Sequence, residues 1–164
     1  MQSDASARPS DALTATDTVA QTQDQAGAVF SSDRQLGFPL YAVSRKVVSL
    51  YQPFLKPLGL TYTQYIVLLA LWEKNPILMK DLGTCLYLDH GTLTPVLKKL
   101  AEAGLLQRQR LRQDERMVSI KLTPKGQALR EAVKDLPAQI RNSIKLEQEA
   151  AASLYHLLYQ ILNS

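Results

Sequence analysis

Met79-Lys80-Asp81-Leu82-Gly83-Thr84-Cys85-Leu86-Tyr87-Leu88-Asp89-His90-Gly91-Thr92-Leu93-Thr94-Pro95-Val96-Leu97-Lys98-Lys99-Leu100 is the stretch on which the fold turns. Its interruption at Leu88-Asp89-His90-Gly91 divides a helical pattern in two. A short helix is predicted around Met79 to Tyr87, and a longer one from the break to about Ala103, closed by Gly104. Two helices joined by a tight turn result.

Downstream the period changes. Leu105 to Leu111 and Met117 to Leu122 both suit extended chain, and the polar Arg112-Gln113-Asp114-Glu115-Arg116 between them predicts a β-hairpin with a charged tip. Thr123-Pro124 sets a capping hydroxyl before a proline suited to the first helical position, so a further helix should run to about Leu136, where Pro137 interrupts it. From about Ala138 to Leu162, the residues Ile140, Ile144, Leu154, Leu157, Leu158 and Ile161 make an amphipathic terminal helix.

Upstream, Tyr65 to Trp72 is apolar nearly all round and follows Thr61 and Gln64, spaced as a capping box, so a buried helix is expected there, ended by Asn75-Pro76. Before it, Leu40, Tyr41, Val43, Val47, Val48, Leu50, Tyr51 and Phe54 recur at near-helical spacing from Phe38 onward; Pro39 suits the first turn, and Pro53, Pro57 and Gly59 mark the end. Residues 1 to 32 are Ala, Ser, Thr, Gln and Asp with scattered Val and Leu, which cannot bury enough apolar surface to offset the entropy of ordering. The expected organisation is a disordered tail over 1–32 and one domain over 33–164, without internal repeats.

Charge follows the same division. Residues 1 to 33 carry Asp4, Asp11, Asp17, Asp24 and Asp33 against Arg8, a net −4 within a chain of formal charge +4, so residues 34 to 164 carry +8. A basic domain is compatible with a polyanionic partner. Cys85 is the single cysteine, so no intrachain disulfide can form. The longest apolar run, Tyr65 to Trp72, falls far short of the ~20 residues that span a bilayer. A cytoplasmic protein with no membrane partner is expected.

The order helix, turn, helix, hairpin matters because a helix fits the major groove of DNA while a basic hairpin beside it reaches the backbone or the minor groove. The predicted fold is mainly α with a small β-hairpin wing, a winged helix-turn-helix. Asp89, His90, Gly91, Thr92, Thr94 and Pro95 open the second helix, where Thr92 and Thr94 can donate to or accept from base edges and His90 is a further candidate. Lys98 and Lys99 would neutralise phosphates. On the hairpin Arg108, Arg110 and Arg112 alternate and so share a face, Arg116 returns on the other strand, and Asp114 would brace an arginine. The simpler account of the lysines is a solvated helix face, and of the arginines an edge strand blunted with charge.

Leu86 to Leu100, followed by Gly104-Leu105-Leu106 and Asp114-Glu115-Arg116, strongly resembles the MarR family, and within it the organic hydroperoxide regulator (OhrR) branch. The resemblance extends to Gln35 to Tyr41, Tyr51 to Tyr65 and Leu122 to Gly126. It implies an intertwined helical homodimer that represses organic-peroxide or stress-response genes, with Asp89 to Lys99 in the major groove of a pseudo-palindromic operator and the arginine wing in the minor groove. It also implies a sensing pocket. The branch carries a peroxide-reactive cysteine in Gln-Leu-Cys-Phe-x-Leu-Tyr, and the matching stretch here is Gln35-Leu36-Gly37-Phe38-Pro39-Leu40-Tyr41. Glycine has no side chain to oxidise, so peroxide sensing at position 37 is lost. Phe38, Tyr41, Tyr51 and Tyr62 remain of the pocket.

Two routes to regulation stay open: a small apolar or phenolic ligand in a cleft lined by these aromatics, or oxidation of Cys85. With Leu78, Leu82 and Leu88, Cys85 is expected on the apolar side of its helix, where a thiol is buried and inert. No enzyme is expected, since His90 and His156 are far apart and neither is spaced with acids or Cys85 as a triad or metal site. Nothing in the chain calls for a cofactor, a glycine-rich phosphate loop being absent.

Overall fold

A computed structural model describes residues 35–111 and 114–164, together with the backbone but not the side chains of 115 and 116. The expected tail over 1–32 and Arg112 lie outside the described residues. The chain divides into two compact units, 1–44 and 45–164. In the first, Phe38 N bonds Gln35 O and Leu40 N bonds Leu36 O, which starts helix α1 (Gly37–Leu55). Pro53 sits inside the last turn of α1 without ending it; a 3-10 turn (Lys56–Leu58) follows and Gly59 closes it.

The second unit is built around helix α2 (Tyr62–Glu73). Both halves of the capping box form: Thr61 N donates to Gln64 Oε1 at 2.8 Å and Gln64 N to Thr61 Oγ1 at 3.3 Å. Gln64, Tyr65, Val67, Leu68, Ala70 and Leu71 are buried, as a helix apolar on every side requires. A two-residue strand β1 (Ile77–Leu78), helices α3 (Met79–Leu86) and α4 (His90–Glu102), and strands β2 (Leu106–Leu111) and β3 (Asp114–Leu122) complete the block.

Among the described residues the sheet has three antiparallel strands in the order β1-β3-β2, with Ile77 opposite Ile120 and Leu106 opposite Leu122. Strand β1 was not foreseen. Two residues cannot display a period of two, and its anchor, Asn75 Oδ1 accepting from Leu122 N at 2.9 Å, is a contact across 47 residues. Strand β3 also starts at Asp114, ahead of the expected Met117, and a register shift falls between Arg110 and Leu111.

Three further helices follow: α5 (Pro124–Ala132), α6 (Leu136–Ser143) and α7 (Gln148–Leu162). The expected terminal helix from Ala138 to Leu162 is therefore two. Pro137 opens α6 within its first turn instead of interrupting a helix, because its missing N–H is harmless there. At the other end Ser143 Oγ donates back to Gln139 O at 3.0 Å, Ile144 turns extended, and Leu146 N bonds Ile144 O at 2.8 Å. Such back-bonding loosens a helix end. Ile140 is buried on the core, whereas Leu154, Leu157 and Ile161 of α7 are exposed.

Candidate nucleic-acid interface

The corner between α3 and α4 is tight because glycine permits it. A Cβ on Gly83 would stand 2.9 Å from Leu88 O, the carbonyl of the turn. Tyr87 caps α3 in the left-handed region (φ 52°), an uncommon conformation for a bulky residue, and Leu88 N returns to Gly83 O at 2.9 Å. Asp89 then caps α4. Its Oδ1 accepts from Thr92 N at 2.8 Å and its Oδ2 from Thr92 Oγ1 at 3.0 Å. These bonds, the backbone one first, hold the Asp89 carboxyl below the usual carboxylate range. Gly91 suits this cap, since a Cβ there would approach Asp89 Oδ1 to 3.1 Å.

Leu93, Leu97 and Leu100 bury one side of α4, which leaves the other side of the helix, with Asp89, His90, Gly91, Thr92, Pro95, Lys98 and Lys99, in solvent. Thr94, half-buried, donates to His90 O at 2.7 Å and lies 3.2 Å from His90 Nδ1. Pro95 sits inside the helix and removes the N–H that would have bonded the Gly91 carbonyl. Lys98 reaches Glu102 at 3.9 Å, an exposed pair that restrains the lysine only weakly.

The wing is fastened to the far end of α4. Gly104, at φ 71°, turns the chain out of the helix, and Leu105 N bonds Leu100 O at 2.9 Å. Thr123 Oγ1 donates to Gly104 O at 2.7 Å and accepts from Gly126 N at 3.0 Å, while Lys125 Nζ donates to Ala103 O at 2.8 Å. Arg108 and Arg110, opposite Ile120 and Val118, are exposed and share a strand face, as their spacing predicts. Asp114 is exposed at the start of β3, Arg116 is described only by its backbone, and Arg112 is not described. Helix α4 and the wing thus share one block.

The residues expected to line a sensing pocket fall in both units. Gly37, Phe38 and Tyr41 lie in the first two turns of α1, and a Cβ on Gly37 would meet nothing within 4 Å among the described residues. In the second unit the Tyr51 and Tyr62 rings meet at 4.8 Å between centroids, tilted by 59°, Tyr65 joins at 5.7 Å from Tyr51, and Trp72 continues at 6.5 Å from Tyr65. Burial raises the phenols of Tyr51 and Tyr62, and burial together with both neighbours pushes Tyr65 to about 12. Beside them the elbow between α1 and α2 holds an open cavity of about 570 Å³ lined by Val48, Gln52, Leu55, Lys56 and Tyr62 among others. Gln52 and Lys56, two of the polar residues of that cavity, escape sequence reasoning because nothing in their spacing sets them apart from solvated helix residues.

One expectation is overturned. Cys85 is exposed, not buried among leucines. The stripe of α3 that meets the core is Met79, Leu82 and Gly83, Leu78 precedes the helix in β1, and Cys85 falls beside the stripe. Tyr87 Oη donates to Asn163 Oδ1 at 3.2 Å at the end of α7, and Tyr155 and Tyr159 stack at 4.6 Å. The Tyr159 phenol is raised chiefly by its hydrogen bond to Tyr155, with small contributions from Tyr87 and Cys85. Among the described residues no cluster of His, Cys, Asp and Glu could hold a metal ion.

Comparison with known proteins agrees with this architecture. The family described as Transcriptional regulator SarA/Rot matches residues 49–133. The organic hydroperoxide resistance transcriptional regulator of Bacillus subtilis is 43% identical over 132 residues, covering 80% of this chain and 90% of its own. Reduced AbfR bound to DNA, a protein known from Staphylococcus epidermidis, has a similar structure: TM-score 0.68, 38% identity, 89% of this chain and 97% of that one. BpsR of Bordetella bronchiseptica, whose DNA binding is regulated by 6-hydroxynicotinic acid, has TM-score 0.75 at 25% identity, covering 84% of this chain and 99% of its own. The tied corner, its wing and these relatives lead to one conclusion: the chain belongs to the MarR-type winged helix-turn-helix family of DNA-binding transcriptional regulators, in the group that includes the SarA/Rot and organic hydroperoxide regulators.

Proposed function

We propose that this protein is a homodimeric cytoplasmic repressor of organic-peroxide or stress-response genes, not an enzyme, in which thiol sensing at position 37 has been lost. The observation that carries this is Gly37 itself, held in the first turn of a helix where the resembling branch places its reactive cysteine. In this reading Asp89 to Lys99 of α4 enter the major groove, Lys98 and Lys99 meet phosphates, and Arg108, Arg110, Arg112 and Arg116 of the wing follow the minor groove. The regulating domain is 33–164, preceded by the acidic tail 1–32. Exposed Leu154, Tyr155, Leu157 and Ile161 of α7 support pairing with a second copy, which would set two reading helices on a pseudo-palindromic operator.

Fluorescence anisotropy with DNA from the protein's own upstream region tests it, at fixed salt, with and without an organic hydroperoxide. The wild type should bind and stay bound, whereas Gly37→Cys, for which there is room, should be released by peroxide at least tenfold. Exposure of Cys85 favours a second reading, in which oxidation of that thiol, next to the turn that carries α4, lowers DNA affinity. Release of wild type but not of Cys85→Ser would establish it. If peroxide leaves both untouched, the choice falls between a small apolar or phenolic ligand, for which the elbow cavity is the candidate place, and a constitutive repressor.

A further inference from the structure

The direction of one hydroxyl proton decides how the reading helix presents itself to DNA. Thr94 Oγ1 is 2.7 Å from His90 O and 3.2 Å from His90 Nδ1. A threonine hydroxyl has a single proton, and two oxygens at 2.7 Å attract only with that proton between them. It is therefore donated to the carbonyl. Toward Nδ1 the hydroxyl can then only accept, so Nδ1 carries the hydrogen of the neutral imidazole and Nε2 keeps a lone pair on an exposed residue. Thr92 is constrained in the same sense: its proton goes to Asp89 Oδ2, and the oxygen left facing solvent is an acceptor.

We propose that His90, positioned by Thr94, is a specificity-determining residue that reads its base as a hydrogen-bond acceptor. It thereby restricts one major-groove position of each operator half-site to adenine or cytosine on the strand it faces. Adenine N6 and cytosine N4 are the amino donors of the major groove; guanine O6 and thymine O4 at the corresponding places are acceptors, which would set lone pair against lone pair. A histidine free to choose its tautomer could serve either class. The Thr94 hydroxyl removes that choice, and Thr92 adds a neighbouring acceptor rather than a competing donor.

The inference rests on α4 being the helix that enters the groove, and selection from a randomised duplex pool by the full-length protein, at pH 8 where imidazoles are neutral, separates the two. The wild type should enrich a specific operator in which one position per half-site favours adenine or cytosine over guanine or thymine by about fivefold, the low end for a base contact. Thr94→Ala should flatten that position and leave the rest of the operator unchanged, Thr94→Ser should restore it, and His90→Arg, a pure donor, should shift it to guanine. Long-range proton–nitrogen spectroscopy of the free protein should find the His90 hydrogen on Nδ1. A specific operator with guanine or thymine at the position His90→Arg alters, or with no position altered by His90→Arg and Thr94→Ala, overturns the assignment of His90 alone. A hydrogen on Nε2 overturns it as well. Enrichment of no operator at all would overturn both this inference and the proposed function.

Discussion

The block from β1 to the start of α5 and the terminal helix α7 are equally rich in leucine, and they use it oppositely. In the block Leu82, Leu93, Leu97, Leu100 and Leu106 are almost wholly withdrawn from solvent, and the strand and helix ends are tied by Asn75, Asp89, Thr123 and Lys125. In α7 Leu154, Leu157, Ile161 and Leu162 stand in solvent, and no residue of the helix is buried. Apolar surface left in water on this scale marks a place of association. Among the described residues the block buries its leucines within one chain, while the terminal helix leaves its own exposed, as the proposed pairing with a second copy requires.

The largest effect that would break this contrast is a cavity. Leu97→Ala should lower the stability of the block by about 3 kcal/mol, as large-to-small changes do in a core that cannot collapse around them, whereas Leu157→Ala should change the unfolding free energy of an isolated chain by about 0.5 kcal/mol or less. Urea denaturation at low protein concentration measures both. Equal losses would mean that α7 has its own place in the monomer. Next, Leu157→Glu with Ile161→Glu should leave helical content unchanged, shift the sedimenting species to a monomer, and weaken operator binding by about 100-fold, close to 2.7 kcal/mol. A double variant that remains dimeric would remove α7 from the association surface.

The smallest expected effect concerns the cap of α4. Because the Asp89 carboxyl is held below its unfolded value, its charged form adds stability above the ordinary carboxylate range, and that contribution fades as pH falls through the depressed folded value. The penalty of Asp89→Ala should therefore be larger at pH 6 than at pH 2.5 in paired urea titrations. A penalty independent of pH would mean that the neutral acid caps α4 as well as the carboxylate.

Most of the block was legible because its signals are local. Thr61 with Gln64, Thr123 with Pro124, and Gly104 each act on backbone groups three or four residues away, so spacing alone places the ends of α2, α5 and α4. What stayed hidden acts at a distance or between near-equal alternatives. Strand β1 depends on Asn75 meeting Leu122, and the break before α7 follows Ser143, where no glycine or proline announces it. Cys85 is exposed because two of the three leucines expected beside it lie outside α3, Leu78 in β1 and Leu88 in the turn, and the stripe the helix buries is Met79, Leu82 and Gly83. In the site, residue types pointed to Asp89, His90, Thr92 and Thr94, but whether each gives or takes a proton is fixed only by the distances between them.

Thr123 bonds the end of α4 with its hydroxyl, caps α5 with the same oxygen, and stands where β3 ends. Mechanically it is a pivot pin shared by three levers. A torque applied to α5 reaches the wing and α4 together, so neither tilts alone. Under the proposed function, an effector would then have no partial stroke to exploit, and release from both grooves would be a single event.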